Sequence, residues 1–205
     1  MLVRRHDGKY ARAAAPAASG GFVVRTLLTI TMLAVTITAC PEASSQGPSA
    51  PAKAPVVEAP PTVAGPLGEL LATYDDMQRR FANDDAAAGA SAGKLAAAAQ
   101  AASTTASAAT KQPLVDLAAV AGKLAEQMKA APPPALDAQR KAFADLSKVF
   151  IALLVADPAL QQGRYIFECP MAPSYKKWVQ THAKLQNPWY GSKMLECGVK
   201  ADWSV

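Results

Sequence analysis

A chain of 205 residues, 51% of them apolar by type, has material for one core of ordinary size. The formal charge of +5 is concentrated at one end: five of the 21 basic side chains but only one of the 16 acidic ones precede residue 40, leaving 16 against 15, or +1, beyond it. Near-neutrality gives no basis for a nucleic-acid partner.

Arg4, Arg5, Lys9, Arg12 and Arg25 precede an apolar run from Thr26 to Ala39. A basic stretch followed by a short apolar one reads as an export signal over residues 1–39, too short to span a bilayer comfortably. The basic part is long, which is consistent with a translation start near Val23 or Val24. The run closes on Ile37-Thr38-Ala39-Cys40, which resembles the bacterial lipobox. That resemblance implies a diacylated Cys40 thiol, cleavage before it and acylation of the new amino terminus. Two or three acyl chains anchor a protein stably where one does not. No later stretch reaches 18 apolar residues, so the expectation is a chain held at a membrane by its lipid without crossing it. Pro41, in place of the aspartate that commonly retains lipoproteins at the inner membrane, makes the outer membrane the expected destination.

Residues 40–65 are expected to form the lipidated cysteine and a tether. Pro41 to Gly65 holds six prolines and lacks hydrophobic periodicity, so it cannot bury a core and favours extended conformers. From Pro66, Leu67, Leu70, Leu71, Tyr74, Met77 and Phe81 recur at three- and four-residue steps, predicting a first helix. Asn83, Asp84 and Asp85 interrupt it and offer N-cap chemistry for a second, alanine-rich helix to about Thr104, with Leu95 its only large apolar residue. Leu114, Leu117, Ala121, Leu124 and Met128 mark a third, ended by Pro132-Pro133-Pro134. Leu136, Phe143, Leu146, Phe150, Leu153 and Leu154 mark a fourth, stopped by Asp157-Pro158. The expected class is mainly α: an antiparallel four-helix bundle over 66–163, with residues 164–205 folded back onto it as part of the same domain.

The last segment differs in composition. Arg164 to Cys169 has the aromatic and β-branched content of a strand. All three tryptophans, three of the five tyrosines, Cys169, Cys197 and the sole histidine beyond residue 40, His182, lie after Gly163. Met171 and Met194 each fall two or three positions from a cysteine. In a strand, Cys169 and Met171 share a face at i and i+2. In a helical turn, Met194 and Cys197 share one at i and i+3. Thiolate and thioether sulfurs are soft ligands suited to Cu(I), so Cys169, Met171, Met194 and Cys197 form a candidate metal set, with His182 as a candidate addition. The alternative is a Cys169–Cys197 disulfide, which by loop-closure entropy would stabilise the fold by about 3.6 kcal/mol. His182, expected on a short helix, reads more simply as a solvated side chain. No nucleophile–base order, phosphate loop or carboxylate pair stands out, and no Cys-x-x-Cys-His haem motif occurs, so an enzyme is not expected.

Cys169-Pro170-Met171-Ala172, a downstream Trp178, Asn187-Pro188-Trp189-Tyr190-Gly191 and Met194-Leu195-Glu196-Cys197-Gly198 together resemble a bacterial envelope domain. That domain occurs as free lipoproteins and at the C-terminal end of some copper and silver efflux adaptor subunits. Its pattern includes a Gln-Arg-x-x-Phe-x-x-Leu-Ser stretch, here Gln139 to Ser147, and the resemblance spans roughly Leu67 to Val199. It implies a metal-related role, with a heavy-metal efflux component as partner. Trp189-Tyr190 stands where Tyr-Phe is usual, and Val199 stands where an acid is common, so no ligand role passes to that position. The expected function is an envelope lipoprotein that binds or buffers a soft metal, Cu(I) first, as an accessory to efflux. The alternative is a structural or protein-interaction lipoprotein held by the disulfide.

Overall fold

The computed structural model describes residues 60–205; the signal segment, Cys40 and most of the tether lie outside the described residues. Among the described residues the fold is mainly α, with four α-helices and a small antiparallel sheet of three strands. Helix α1 (Gly65–Ala82) opens with proline in its first turn, where the missing N–H costs nothing, and closes with Arg79 and Arg80 against the negative end of its dipole. Leu70, Leu71, Tyr74, Met77 and Phe81 are its buried stripe, as their spacing predicts.

Helices α2 (Ala92–Ser103), α3 (Ala108–Met128) and α4 (Leu136–Ala156) follow, each packed on its neighbour in sequence. The buried face of α2 is Leu95 with Ala92, Ala98, Ala99 and Ala102, so α1 and α3 approach it over methyl groups. Ser107 caps α3 by accepting from the Thr110 amide at 3.3 Å, which satisfies one amide of the free first turn. The start of α2 departs from expectation. Asn83–Asp85 do not cap it; a turn of 3₁₀ helix at Ala88–Ser91 intervenes. Asp85 is occupied by Arg80 at 2.7 Å and the Ala87 amide at 2.8 Å, and Asp84 adopts φ +57° and faces another part of the molecule.

Beyond α4 the chain forms β1 (Tyr165–Glu168), β2 (Lys177–Gln180) and the two-residue β3 (Val199–Lys200), in spatial order β2-β1-β3. Strand β1 is the one expected near Arg164. Strand β2 replaces the short helix expected around His182. Its register with β1 pairs Ile166 with Val179 and Phe167 with Trp178, and Trp178 and Val179 are fully buried. Gln180 ends it by folding the next turn around its amide. Its Oε1 accepts from the Trp178 indole and the Gln186 amide at 3.0 Å each, while its Nε2 donates to the carbonyls of His182 and Lys184.

Strand β2 packs on α4 and α1, and an unbroken series of aromatic contacts runs from helices to sheet. Tyr74 stacks on Phe150 with centroids 3.6 Å apart and lies 5.4 Å from Phe143. Phe143 also meets Phe81 at 4.7 Å and Trp189 at 5.6 Å, and Trp189 meets Trp178 edge-on at 6.3 Å. One core therefore serves both parts. An ion pair at 2.8 Å between Asp75 of α1 and Arg164, just before β1, fixes the entry to the sheet; burial raises the Asp75 carboxyl pKa, and Arg164 opposes that rise.

Inside this core Tyr74 carries a polar tip: its hydroxyl lies 2.5 Å from Ser147 Oγ and accepts from the Val179 amide at 3.4 Å, joining α1, α4 and β2. Replacing Tyr74 with Phe keeps the ring and orphans two buried partners. The expected loss is about 1–3 kcal/mol in urea denaturation. A change within experimental error would show that water reaches the pair.

Candidate functional site

The junction between helices and tail is organised around Arg140. Leu136, Arg140, Phe143, Ser147, Phe150 and Leu154 continue one stripe of α4, so a cation and a hydroxyl occupy positions that face the core. The Arg140 side chain is only 11% exposed and its donors are aimed in fixed directions. Its Nε donates to the Pro188 carbonyl at 2.9 Å, and its Nη2 donates to the Phe81 carbonyl at 2.9 Å and to Asp84 Oδ1 at 2.5 Å. One guanidinium thus holds the end of α1, the turn after it and the Asn187–Gly191 segment.

Asp84 completes the arrangement from the other side. Its Oδ2 accepts from the Ser192 amide at 2.9 Å, capping the short 3₁₀ turn Gly191–Lys193. These bonds from Ser192 and Arg140 hold the Asp84 carboxyl well below its ordinary 3.8, at about 2. Gly191 sits over this pair with φ +55°, and a Cβ built there would lie 2.0 Å from Asp84 Oδ1. Glycine is required at Gly191 on both counts.

The Asn187–Gly191 segment is shaped by its own side chain as well. Asn187 Oδ1 accepts from the Trp189 amide at 2.8 Å, its Nδ2 donates to the Cys197 carbonyl at 2.7 Å, and its backbone amide donates to the Leu195 carbonyl at 2.7 Å. Trp189 is thereby directed to Phe143, with its indole N–H on the Lys176 carbonyl at 3.0 Å. Gln139, beside Arg140, binds the turn before α2: its Oε1 accepts from the Gly89 amide at 3.0 Å and its Nε2 donates to the Ala86 and Pro134 carbonyls. The Gln139–Ser147 stretch and the Asn-Pro-aromatic-aromatic-Gly stretch are therefore two halves of one contact.

The sulfur residues lie further along the tail. Cys169 follows β1 and is fully buried; Cys197 precedes β3 and is half-buried. Phe167 pairs with Lys200 and Glu168 with Val199, so Cys169 comes opposite Gly198, and Cys197 is one residue further on. Gly198 has φ +152°, and a Cβ there would lie 2.9 Å from the Trp178 ring and 3.0 Å from the Glu168 carbonyl oxygen. That close approach brings the two cysteines together as free thiols near enough to perturb each other. Partial burial and the neighbouring Cys169 raise the Cys197 pKa.

The expected strand geometry at Cys169-Pro170-Met171 does not form. The Ala172 amide donates to the Cys169 carbonyl at 3.0 Å, so the four residues make a turn. Met171 is carried outward, 58% exposed, with its carbonyl accepting from the Tyr190 hydroxyl at 2.6 Å. Met194 and Cys197 bracket a turn in which the Cys197 amide donates to the Met194 carbonyl at 3.0 Å, rather than a turn of α-helix, and Met194 is half-buried. His182 is exposed in the turn after β2, its Nδ1 3.4 Å from the Thr181 hydroxyl. Among the described residues no three His, Cys, Asp or Glu side chains converge, so His182 does not join the two cysteines. The tail thus brings Cys169 and Cys197 together and leaves His182 apart. Such a pair can close to a disulfide, or hold a soft monovalent metal between two thiolates.

Comparison of the chain with protein families, with curated proteins and with solved structures found no match. Among the described residues no helix is long and apolar enough to cross a membrane.

In the sequence Asp84 reads as N-cap chemistry and Arg140 as one residue of the Gln139–Ser147 pattern; a cation on the apolar stripe of α4 is the signal that marks their contact. Arg140→Ala would strand Asp84 and two carbonyls, with an expected loss of about 3–5 kcal/mol in chemical denaturation. Because the folded Asp84 pKa is depressed, its contribution is complete above the unfolded value of 3.8 and is lost as the pH falls toward about 2. The stability difference between wild type and Asp84→Asn should accordingly shrink across that window. A difference independent of pH would place the ionised carboxylate outside the contact.

Proposed function

We propose that the chain is an envelope lipoprotein, anchored to a membrane through acylated Cys40, whose helices form an antiparallel bundle and whose tail acts as a fixed binding or interaction surface. The export signal and lipobox support the anchoring, with the outer membrane favoured by Pro41. The tether of prolines supplies reach. The domain is read as a non-catalytic module, and its likeness to an envelope domain of copper and silver efflux adaptors supports a place beside such a system. Cys40→Ser should move the protein from the membrane fraction to the soluble periplasmic fraction and abolish incorporation of labelled palmitate. Retention at the membrane with label still incorporated would refute lipidation at that residue.

The single observation that carries the reading of the tail is the adjacency of Cys169 and Cys197 at the β1–β3 edge. In an oxidising compartment such a pair closes to a disulfide, which would fasten the strand that Gly198 brings against β1. Protein isolated without reductant and denatured should present no thiol from either position to alkylating reagent. Reduction should then lower the unfolding midpoint, and Cys169→Ser/Cys197→Ser should match the reduced protein. Two reactive thiols in freshly isolated material would exclude the disulfide.

A second reading is favoured by Met194, half-buried on the same turn as Cys197. With both thiols reduced, Cys169 and Cys197 would be thiolate ligands for Cu(I) and Met194 a thioether beside them, while Met171, exposed, would join only as metal arrives. The role would be binding or buffering the ion on its way to an efflux partner. Reduced protein titrated with Cu(I) against a competing chelator should then bind one ion, and Cys→Ser at either position should lose it. Equal binding by the double Cys→Ser variant removes this reading and leaves the disulfide-held module.

A further inference from the structure

Between the first turns of α4 and the tail lies a cavity of about 440 Å³, a size suited to a small organic ligand. Asp137, Arg140 and Lys141 line it from the helix, and Trp189, Tyr190 and Lys193 from the tail. Its lining holds three cations and one acid; with Asp84 paired to Arg140 from behind, the balance of positive charge rests on Lys141 and Lys193. It opens beside the first turns of a 21-residue helix, whose dipole puts its positive end there.

Arg140 makes the site more than a group of surface lysines. Its Nε and Nη2 are committed to Pro188, Phe81 and Asp84, so the guanidinium is immobilised at 11% exposure. Its Nη1 has only the Asp137 carboxylate, 3.6 Å away and beyond hydrogen-bond range, on a side chain 96% exposed. A preoriented donor with both N–H groups available is the element that carboxylate and phosphate recognition uses. The polar ends of both aromatic residues are already satisfied, the Trp189 indole by Lys176 and the Tyr190 hydroxyl by Met171. What remains for a ligand is the half-buried Tyr190 ring and the small exposed margin of Trp189, which suits a compact body such as a sugar.

We propose that this cavity binds a small organic anion, a carboxylate or phosphate carried on a body the size of a sugar ring. The anionic group would meet Arg140 Nη1 with Lys141 and Lys193 on either side, and the body would lie against Tyr190 and the exposed margin of Trp189. Asp137 would oppose binding by repulsion and by competing for Nη1. Neither Cys169 nor Cys197 lines this cavity.

The test uses the full chain, titrated calorimetrically with glucuronate, glucose 6-phosphate, glucose and inorganic phosphate. Because Arg140 also holds the fold, the variants are Lys141→Ala/Lys193→Ala and Asp137→Asn, all at exposed side chains, with unfolding midpoints checked for equality. At least one charged sugar should bind about tenfold or more tightly than glucose, and its ratio to the other distinguishes carboxylate from phosphate. The double lysine variant should weaken that binding by about tenfold and Asp137→Asn should strengthen it by about threefold. Charged sugars no better than glucose, or affinities unmoved by both variants, would overturn the site. Inorganic phosphate binding as tightly as glucose 6-phosphate would overturn the role of the organic body.

Discussion

A guanidinium taken almost wholly out of water must have its charge and donors answered, and Arg140 is answered from three directions at once. The partners are the last carbonyl neighbourhood of α1, the carboxylate of Asp84 and the carbonyl of Pro188. Removing any one leaves the others facing an incompletely paired charge, so the geometry is held cooperatively. Gly191 and Asp84, both with positive φ, are consequences of this centre. The backbone bends there because the carboxylate must face inward and the following turn must come within contact of it. The tail's hold on α4 and on the end of α1 depends on that one buried charge, while Asn187 and Phe143 set the orientation of Trp189 within it.

The helices were readable because their signals are local. Stripes such as Leu70–Leu71–Tyr74–Met77–Phe81, the triple proline and Asp157-Pro158 each act within a few residues, and α1, α3 and α4 fall where these marks put them. The polar residues between helices were a different matter. Asn83, Asp84 and Asp85 carry the composition of an N-cap, yet Asp84 serves a turn 108 residues away. No local pattern specifies such a pairing.

The tail shows the same boundary between local and distant causes. Strand β1 was visible from its β-branched and aromatic content. Strand β2 was not, since Lys177 to Gln180 is too short to display alternation and is strand only because β1 lies beside it. The proximity of Cys169 and Cys197 follows from the register of β1 with β3, a strand of two residues with no propensity signal of its own. The exposure of Met171 follows from the turn at Pro170, which spacing arguments treated as extended chain. Sulfur spacing alone did not specify which sulfurs face each other.

The position of Phe143 has a consequence for how the molecule comes apart. This one ring is in contact with Tyr74 and Phe81 on the helical side and with Trp189 on the tail side, so neither side owns it. Peeling the tail away would open the helical interior along its aromatic seam, and melting α4 would leave the Trp189 indole without a floor. Loss of order should therefore propagate through the whole domain in a single cooperative event. Indole emission would report on the helices as faithfully as on the sheet, and the chemical change in composition at Gly163 is no line of fracture.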